Sequence, residues 1–99
     1  METVSDIFVS GNIKDINTAT YGIEKNIPVL GLFCICRKKN MLFKIEIIKH
    51  SELLKNRNKE RYIILGIAMG KKDAYALLSH IYEYVLKRGL LAQDIEKIF

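Results

Sequence analysis

The chain has little of what marks several large classes of protein. It contains no tryptophan, one proline and six glycines among its 99 residues. That scarcity argues against a disordered or fibrous chain, because such chains are rich in proline, glycine and polar repeats. Apolar residues make up 49% and charged residues 27% of the sequence, which is the balance of a globular domain. We therefore expect one domain over residues 1–99, without a linker.

Long hydrophobic runs are also lacking. The longest, residues 27–36 and 62–69, are far shorter than the roughly 20 apolar residues of a membrane-spanning helix. Residues 1–12 carry neither the basic start nor the apolar segment of a secretory signal. These observations predict a cytoplasmic protein with no membrane partner.

Cysteine is limited to Cys34 and Cys36, too few for a disulfide framework. We interpret both as reduced small hydrophobes, and we expect their side chains on opposite faces of a strand. No further residues at metal-ligand spacing accompany them. Neither a metal nor a cofactor is therefore expected.

The hydrophobic spacing predicts both strands and helices. Apolar runs and alternating apolar residues are typical of strands, and Gly66 inside the last run suggests a bulge or a close backbone approach. A short helix or an ordered loop over residues 15–26 is the least certain element, with Asp15 or Asn17 as a candidate cap. The predicted strands cover residues 7–9, 29–36, 41–49 and 62–69.

The clearest pattern is a helix over residues 72–88. Its apolar residues recur three and four apart and form one stripe, and a short helix or turn is expected over residues 90–99. Short connections between the later strands favour neighbours that run antiparallel. We expect a two-layer α+β domain, with a mainly antiparallel meander of about four strands and the long helix on one face.

The apolar arc of that helix is wider than one sheet requires. Residues beside the stripe widen the arc to about 200°, whereas roughly 100° suffices for packing on a sheet. The tail could cover the excess, a second copy of the chain could do so, or the tyrosines could simply edge the core with their hydroxyls in water. We expect self-association into a dimer or a higher oligomer. The candidate interface residues are Tyr75, Tyr82, Tyr84 and Leu86.

Positive charge suggests a second candidate site, since the formal net charge is +5. In a meander, the turn after residues 29–36 lies at the same end of the sheet as the start of the long helix, where free N–H groups favour an anion. A phosphate-bearing ligand bound there is the second interpretation, although Asp73 partly offsets the charge. Nucleic acid is a less favoured partner, because lysine outnumbers arginine. The candidate anion-binding residues are Arg37, Lys38, Lys39, Gly70, Lys71 and Lys72.

Catalytic motifs are lacking, so no catalytic residue is assigned. Paired carboxylates, a nucleophile motif and a dinucleotide fingerprint are all missing from the sequence, and His50 and His80 are interpreted as ordinary surface histidines. The leading interpretation is a small non-enzymatic binding or assembly module that forms homo-oligomers. The second is a binder of a phosphate-bearing ligand, and the third is an enzyme with its site at a subunit interface.

Overall fold

The computed structural model describes residues 2–39, 45–55 and 61–87. These residues form an α+β fold in which a long helix packs on a four-stranded sheet, as predicted from the sequence. The predicted tail at residues 90–99 lies outside the described residues. The elements are, in order, β1 (Glu2–Val9), α1 (Ile16–Lys25), β2 (Leu32–Lys38), β3 (Ile45–Lys49), α2 (His50–Lys55), β4 (Tyr62–Met69) and α3 (Lys71–Lys87).

The strand order differs from the expected meander. The order is β1-β4-β2-β3, with β1 parallel to β4, and with β2 antiparallel to both β4 and β3. The sheet is therefore mixed, and β4 lies between β1 and β2 instead of beside β3. The apolar side chains of β4 are buried along most of its length, whereas every described side chain of β3 stays at least partly exposed. A strand with apolar residues on both faces suits the sheet interior, and an alternating strand suits the edge.

Helices cover both faces of the sheet, so the fold has three layers instead of the expected two. On one face, Ile23 of α1 and Leu53 of α2 pack in a cluster with Ile64 of β4. On the other face, Ala74 and Ile81 of α3 pack in a second cluster. The α3 helix contacts chiefly β4, with further contacts to β2 and β1.

Both cysteines lie in the interior with free thiols, as expected for small hydrophobes. Cys34 and Cys36 belong to the same core cluster, beneath α1 and α2. The expectation that they face opposite sides of the strand is wrong. Successive side chains alternate between faces, so residues two apart point the same way.

The uncertain segment after β1 forms the helix α1 because both of its ends are capped. The Asp15 carboxylate accepts hydrogen bonds from the Thr18 N–H at 3.0 Å and from the Thr18 hydroxyl at 2.6 Å. At the other end, Asn26 adopts a left-handed conformation with φ of 56°, and the Ile27 N–H donates to the Gly22 carbonyl at 2.9 Å. Such caps satisfy backbone groups that a short helix leaves open.

Gly66 allows a close approach inside the sheet, as its position in an apolar strand suggests. The pairing of β2 with β4 shifts register between Ile35 and Cys36, opposite this glycine. A Cβ at Gly66 would lie 3.1 Å from the Phe8 carbonyl oxygen and 3.1 Å from Leu77 Cδ2. The missing side chain therefore allows β1 and α3 to meet at β4.

Gly22 lies where α1 closely approaches the chain that follows it, so Gly22→Ala should destabilise the fold. The added Cβ would lie 2.4 Å from Val29 Cγ2 and 2.8 Å from the Ile27 carbonyl oxygen. We expect the free energy of unfolding to fall by about 1–3 kcal/mol, as for other overpacked positions. Urea denaturation measures it. Gly11→Ala is the matched control, because nothing lies within 4 Å of its Cβ. An equal loss in both variants would contradict this packing.

Candidate functional site

The six predicted anion-binding residues do not come together. Lys38 pairs with Tyr62 at the start of β4, and the Lys39 N–H donates to the Arg61 carbonyl at 2.7 Å. Gly70, Lys71 and Lys72 follow the other end of β4. Seven residues of extended strand separate the two ends, a distance of about 23 Å at ~3.3 Å per residue. The predicted single cluster of Arg37, Lys38, Lys39, Gly70, Lys71 and Lys72 is therefore wrong.

The direction of β4 explains the separation. The chain passes from β3 through α2 into β4, and β4 then runs antiparallel to β2, whereas a meander would have made them parallel. Arg37 is also buried, with 3% of its surface exposed, so it does not present a surface charge. Gly70 instead forms the turn into α3, with φ of 79° and its N–H donating to the Gly31 carbonyl at 2.9 Å.

A groove beside α3 is the first candidate site. Its floor consists of the half-buried side chains of Phe33 and Ile47, on the sheet face that α3 covers. Tyr75 forms its wall and is 54% exposed. The groove has a volume of about 350 Å³. We call it the Tyr75 groove; it is lined by Phe33, Ile47, Lys49, Glu52, Lys71 and Tyr75.

Three of the four predicted interface residues lie on the groove side of α3. At 100° per residue, Tyr75, Tyr82 and Leu86 fall within about 40° of one another. Leu86 is 68% exposed and Tyr82 is half-buried. Tyr84 lies on the opposite flank, where its ring meets Phe8 of β1 edge-to-face, with ring centres 5.4 Å apart. Tyr84 therefore stabilises the packing of α3 on β1 and does not line the groove.

Charges of both signs surround the apolar floor of the Tyr75 groove. Lys49 ends β3, Lys71 begins α3 and Glu52 lies in α2, and all three side chains are exposed. The sequence interpretation missed Lys49 and Glu52. Lys49 and Glu52 are close in the sequence, but Lys71 is distant from both and lies near them because β2 pairs with β3 and with β4. The alternation of β3 was the available signal, because it places Lys49 on the same face as Ile47.

The interior contains a small set of titratable groups near the start of β4. Tyr62 is 5% exposed and lies beside the Glu46 carboxylate. Burial, followed by the Glu46 charge, raises the pKa of Tyr62. Burial likewise raises the pKa of Cys36 above its ordinary value and that of Cys34 to about 12. Thiols that remain protonated are poor nucleophiles, so this arrangement does not activate either cysteine.

His50 is buried, which corrects its interpretation as a surface histidine. It is 0% exposed, at the start of α2 and close to Gly22 of α1. Neither ring nitrogen has a hydrogen-bond partner among the residues that the structure describes. Burial lowers the pKa of His50, because a charged imidazolium would lose its hydration there. His80 is exposed, as predicted, and its ring meets Phe8 at 5.9 Å.

Comparison with known proteins gives no relative. No protein-family model matches the chain, and no curated protein and no solved structure matches it significantly. Over residues 2–39, 45–55 and 61–87, no three His, Cys, Asp or Glu side chains are grouped so that they could hold a metal ion. Within the same ranges, no helix has the length and apolarity to cross a membrane.

The buried thiols should resist modification in the folded protein. At pH 8, we expect a disulfide reagent to react with Cys34 and Cys36 at least roughly 100-fold more slowly than with an exposed thiol, because only the thiolate attacks. Absorbance of the released thiolate reports the rate. Ser79→Cys, at an exposed position of α3, is the fast-reacting control. Rapid labelling of two thiols in the native parent protein would contradict their burial.

Acid should destabilise the protein through His50. In the unfolded chain His50 takes up a proton near pH 6.5, whereas the buried ring does so only at lower pH. The contribution of neutral His50 to the free energy of unfolding is therefore complete above pH 6.5 and is lost as the pH falls below it. For this one proton, the free energy of unfolding falls by at most about 1.4 kcal/mol per pH unit. Urea denaturation from pH 7.5 to 5 measures it.

His50→Leu should remove this part of the acid sensitivity, because leucine takes up no proton. His80→Gln, which changes an exposed histidine, should keep it. Identical pH profiles for the parent protein and His50→Leu would exclude His50 as the source.

Proposed function

We propose that the chain is a non-enzymatic assembly module that pairs with a second copy of itself across the Tyr75 groove. The observation that supports this most directly is the exposure of Tyr75 and Leu86 beside a half-buried apolar floor. Burying such surface against a partner is favourable, at about 25 cal/mol per Å² removed from water. Tyrosine is also enriched in protein interfaces, since it buries area while keeping a polar tip.

The arrangement of charge favours a second copy as the occupant. In a two-fold dimer the same patch meets itself, so a residue on one chain contacts a different residue on the other. A groove with Lys49 and Lys71 on its rim and Glu52 nearby can satisfy that condition, because each carboxylate can face a lysine of the partner. An apolar centre within a charged rim is the usual composition of an interface.

The partial covering of the sheet by α3 supports the same proposal. Among the described residues, α3 is the element that packs on its face of the sheet, and it contacts chiefly β4. Phe33, Ile45 and Ile47 therefore remain half-buried on the β2–β3 side. A small domain gains stability from oligomer formation, because its own core buries a limited share of its surface.

The mass of the full-length chain in solution tests the proposal. We expect light scattering and sedimentation at micromolar concentration to give about twice the 11.4 kDa of one chain. Tyr75→Lys should weaken dimerisation at least tenfold, because it places a cation in the apolar contact. Tyr21→Lys is the matched control, since Tyr21 on α1 is 55% exposed and Tyr75 is 54% exposed. A monomeric parent protein, or equal weakening by both variants, would refute the proposal.

A charge-reversal series distinguishes a specific two-fold contact from nonspecific association. Glu52→Lys should weaken dimerisation, because it leaves only positive charge around the groove. Adding Lys71→Glu or Lys49→Glu to that variant should restore dimerisation, and high salt should reduce both effects. If neither second substitution restores the dimer, the charges do not meet across a two-fold axis.

A phosphate-bearing ligand is the second candidate, in a different place from the one first expected. Lys49 and Lys71 line the same groove as the Tyr75 ring, and two amines beside an aromatic ring suit a nucleotide. Glu52 on the rim opposes a phosphate, which is why dimerisation ranks first. Native mass spectrometry separates the two, because it reports the oligomer mass and any retained ligand together.

A further inference from the structure

A second concavity lies on the other face of the sheet from the Tyr75 groove. The strands β1 and β4 are parallel neighbours, so their carboxyl ends meet at one edge of the sheet. There, a pocket of about 420 Å³ opens between the start of α1, the residues before it and the end of β4. We call it the edge pocket. Its apolar lining consists of Ile13, Ala19, Val29 and Met69.

The topology explains why a crevice forms at this point. After β1 the chain turns into α1 on one face of the sheet, and after β4 it turns into α3 on the other face. When two parallel neighbouring strands are followed by helices on opposite faces of the sheet, the two helices diverge. A crevice then remains between their first turns. In open sheets with parallel strands, such a crevice is where ligands bind.

Hydrogen bonds hold the walls of the edge pocket in place. The Asn12 side chain donates to the Met69 carbonyl at 2.7 Å and accepts from the Met69 N–H at 3.4 Å, which continues the β1–β4 pairing beyond the strands. The same amide group donates to the Asp73 carboxylate in the first turn of α3. The start of α1 is held by Asp15 and Thr18, as described above. The pocket is therefore built from fixed elements and does not depend on a loose loop.

The polarity of the pocket restricts its ligand. Ile13 and Ala19 are buried, and Val29 and Met69 are half-buried, so the interior offers contact with methyl groups. At the rim, the Asp15 carboxylate already takes the place at the start of α1 that an external anion would occupy. Its hydrogen bonds with Thr18 lower the pKa of Asp15, so it remains a charged acceptor. Lys14 also lines the pocket and is exposed, but the Asp15 carboxylate and the Asp73 carboxylate bound to Asn12 outweigh its single positive charge. An incoming anion is therefore disfavoured there, whereas a hydrogen-bond donor would be accepted.

We propose that the edge pocket binds a small, uncharged, mainly apolar molecule whose hydrogen-bond donor faces Asp15. The volume falls within the range of small-molecule sites, which are concave, mostly apolar and contain few polar groups. This site lies near the ends of β1 and β4, whereas the Tyr75 groove lies over β2 and β3. The edge pocket opens on the face that α1 covers and the Tyr75 groove on the face that α3 covers, so ligand binding does not require self-association.

Indole is a suitable probe, because it is an apolar bicycle with one N–H donor. The full-length protein with ¹³C-labelled methionine and isoleucine methyl groups is titrated with indole and followed by NMR. We expect saturable shifts at Met69 and Ile13. Indole-3-acetate, which adds a carboxylate, should bind at least tenfold more weakly. Absence of saturation, shifts confined to Ile47 in the Tyr75 groove, or equal binding of the acetate would each overturn the proposal.

Substitutions then test the position of the ligand. Ala19→Met fills the interior of the edge pocket, and Thr18→Trp covers its exposed rim without adding volume to the core, so the second variant remains informative if the first is poorly folded. Both should weaken indole binding at least tenfold. Ala76→Met, on the exposed side of α3, is the control and should bind like the parent protein. Unchanged binding in a folded Thr18→Trp variant would refute this location.

Discussion

Strand β4 carries apolar side chains at almost every position, so both of its faces must be removed from water. Its place between β1 and β2 provides neighbours on both edges, while α1 and α2 cover one face and α3 the other. Gly66 makes this dense packing feasible where β1, β4 and α3 meet. Most other features of the fold follow from where this strand lies and which way it runs.

The direction of β4 also decides where the charges lie. Because β4 runs antiparallel to β2, the lysines that follow β2 and those that begin α3 lie at opposite ends of the sheet. No continuous basic surface joins them along the described strands. Lys71 instead lies near Lys49 and Glu52, a set with both signs of charge, which suits a contact between two copies better than a phosphate alone.

The two concavities have different origins and different chemistry. The Tyr75 groove exists because, among the described residues, α3 alone covers a four-stranded face, and the groove combines apolar and charged groups at the surface. The edge pocket exists because two helices leave parallel neighbours on opposite faces, and its interior is mainly apolar. They lie on different faces of the sheet, so assembly at one and binding at the other can be measured apart.

Local patterns in the sequence alone determined the bounds of β4, nearly those of α3, and the burial of the cysteines, and they limited the cap of α1 to Asp15 or Asn17. These depend on periodicity and on short-range hydrogen bonds, which neighbouring residues specify. Tyr75, Tyr82 and Leu86 could be found in the same way, as apolar excess on one side of a helix. Only the tertiary structure decided the strand order, the second helical layer, the burial of His50 and the grouping of Lys49, Glu52 and Lys71. Periodicity shows which face of an element is apolar, but what covers that face depends on contacts between residues far apart in the chain.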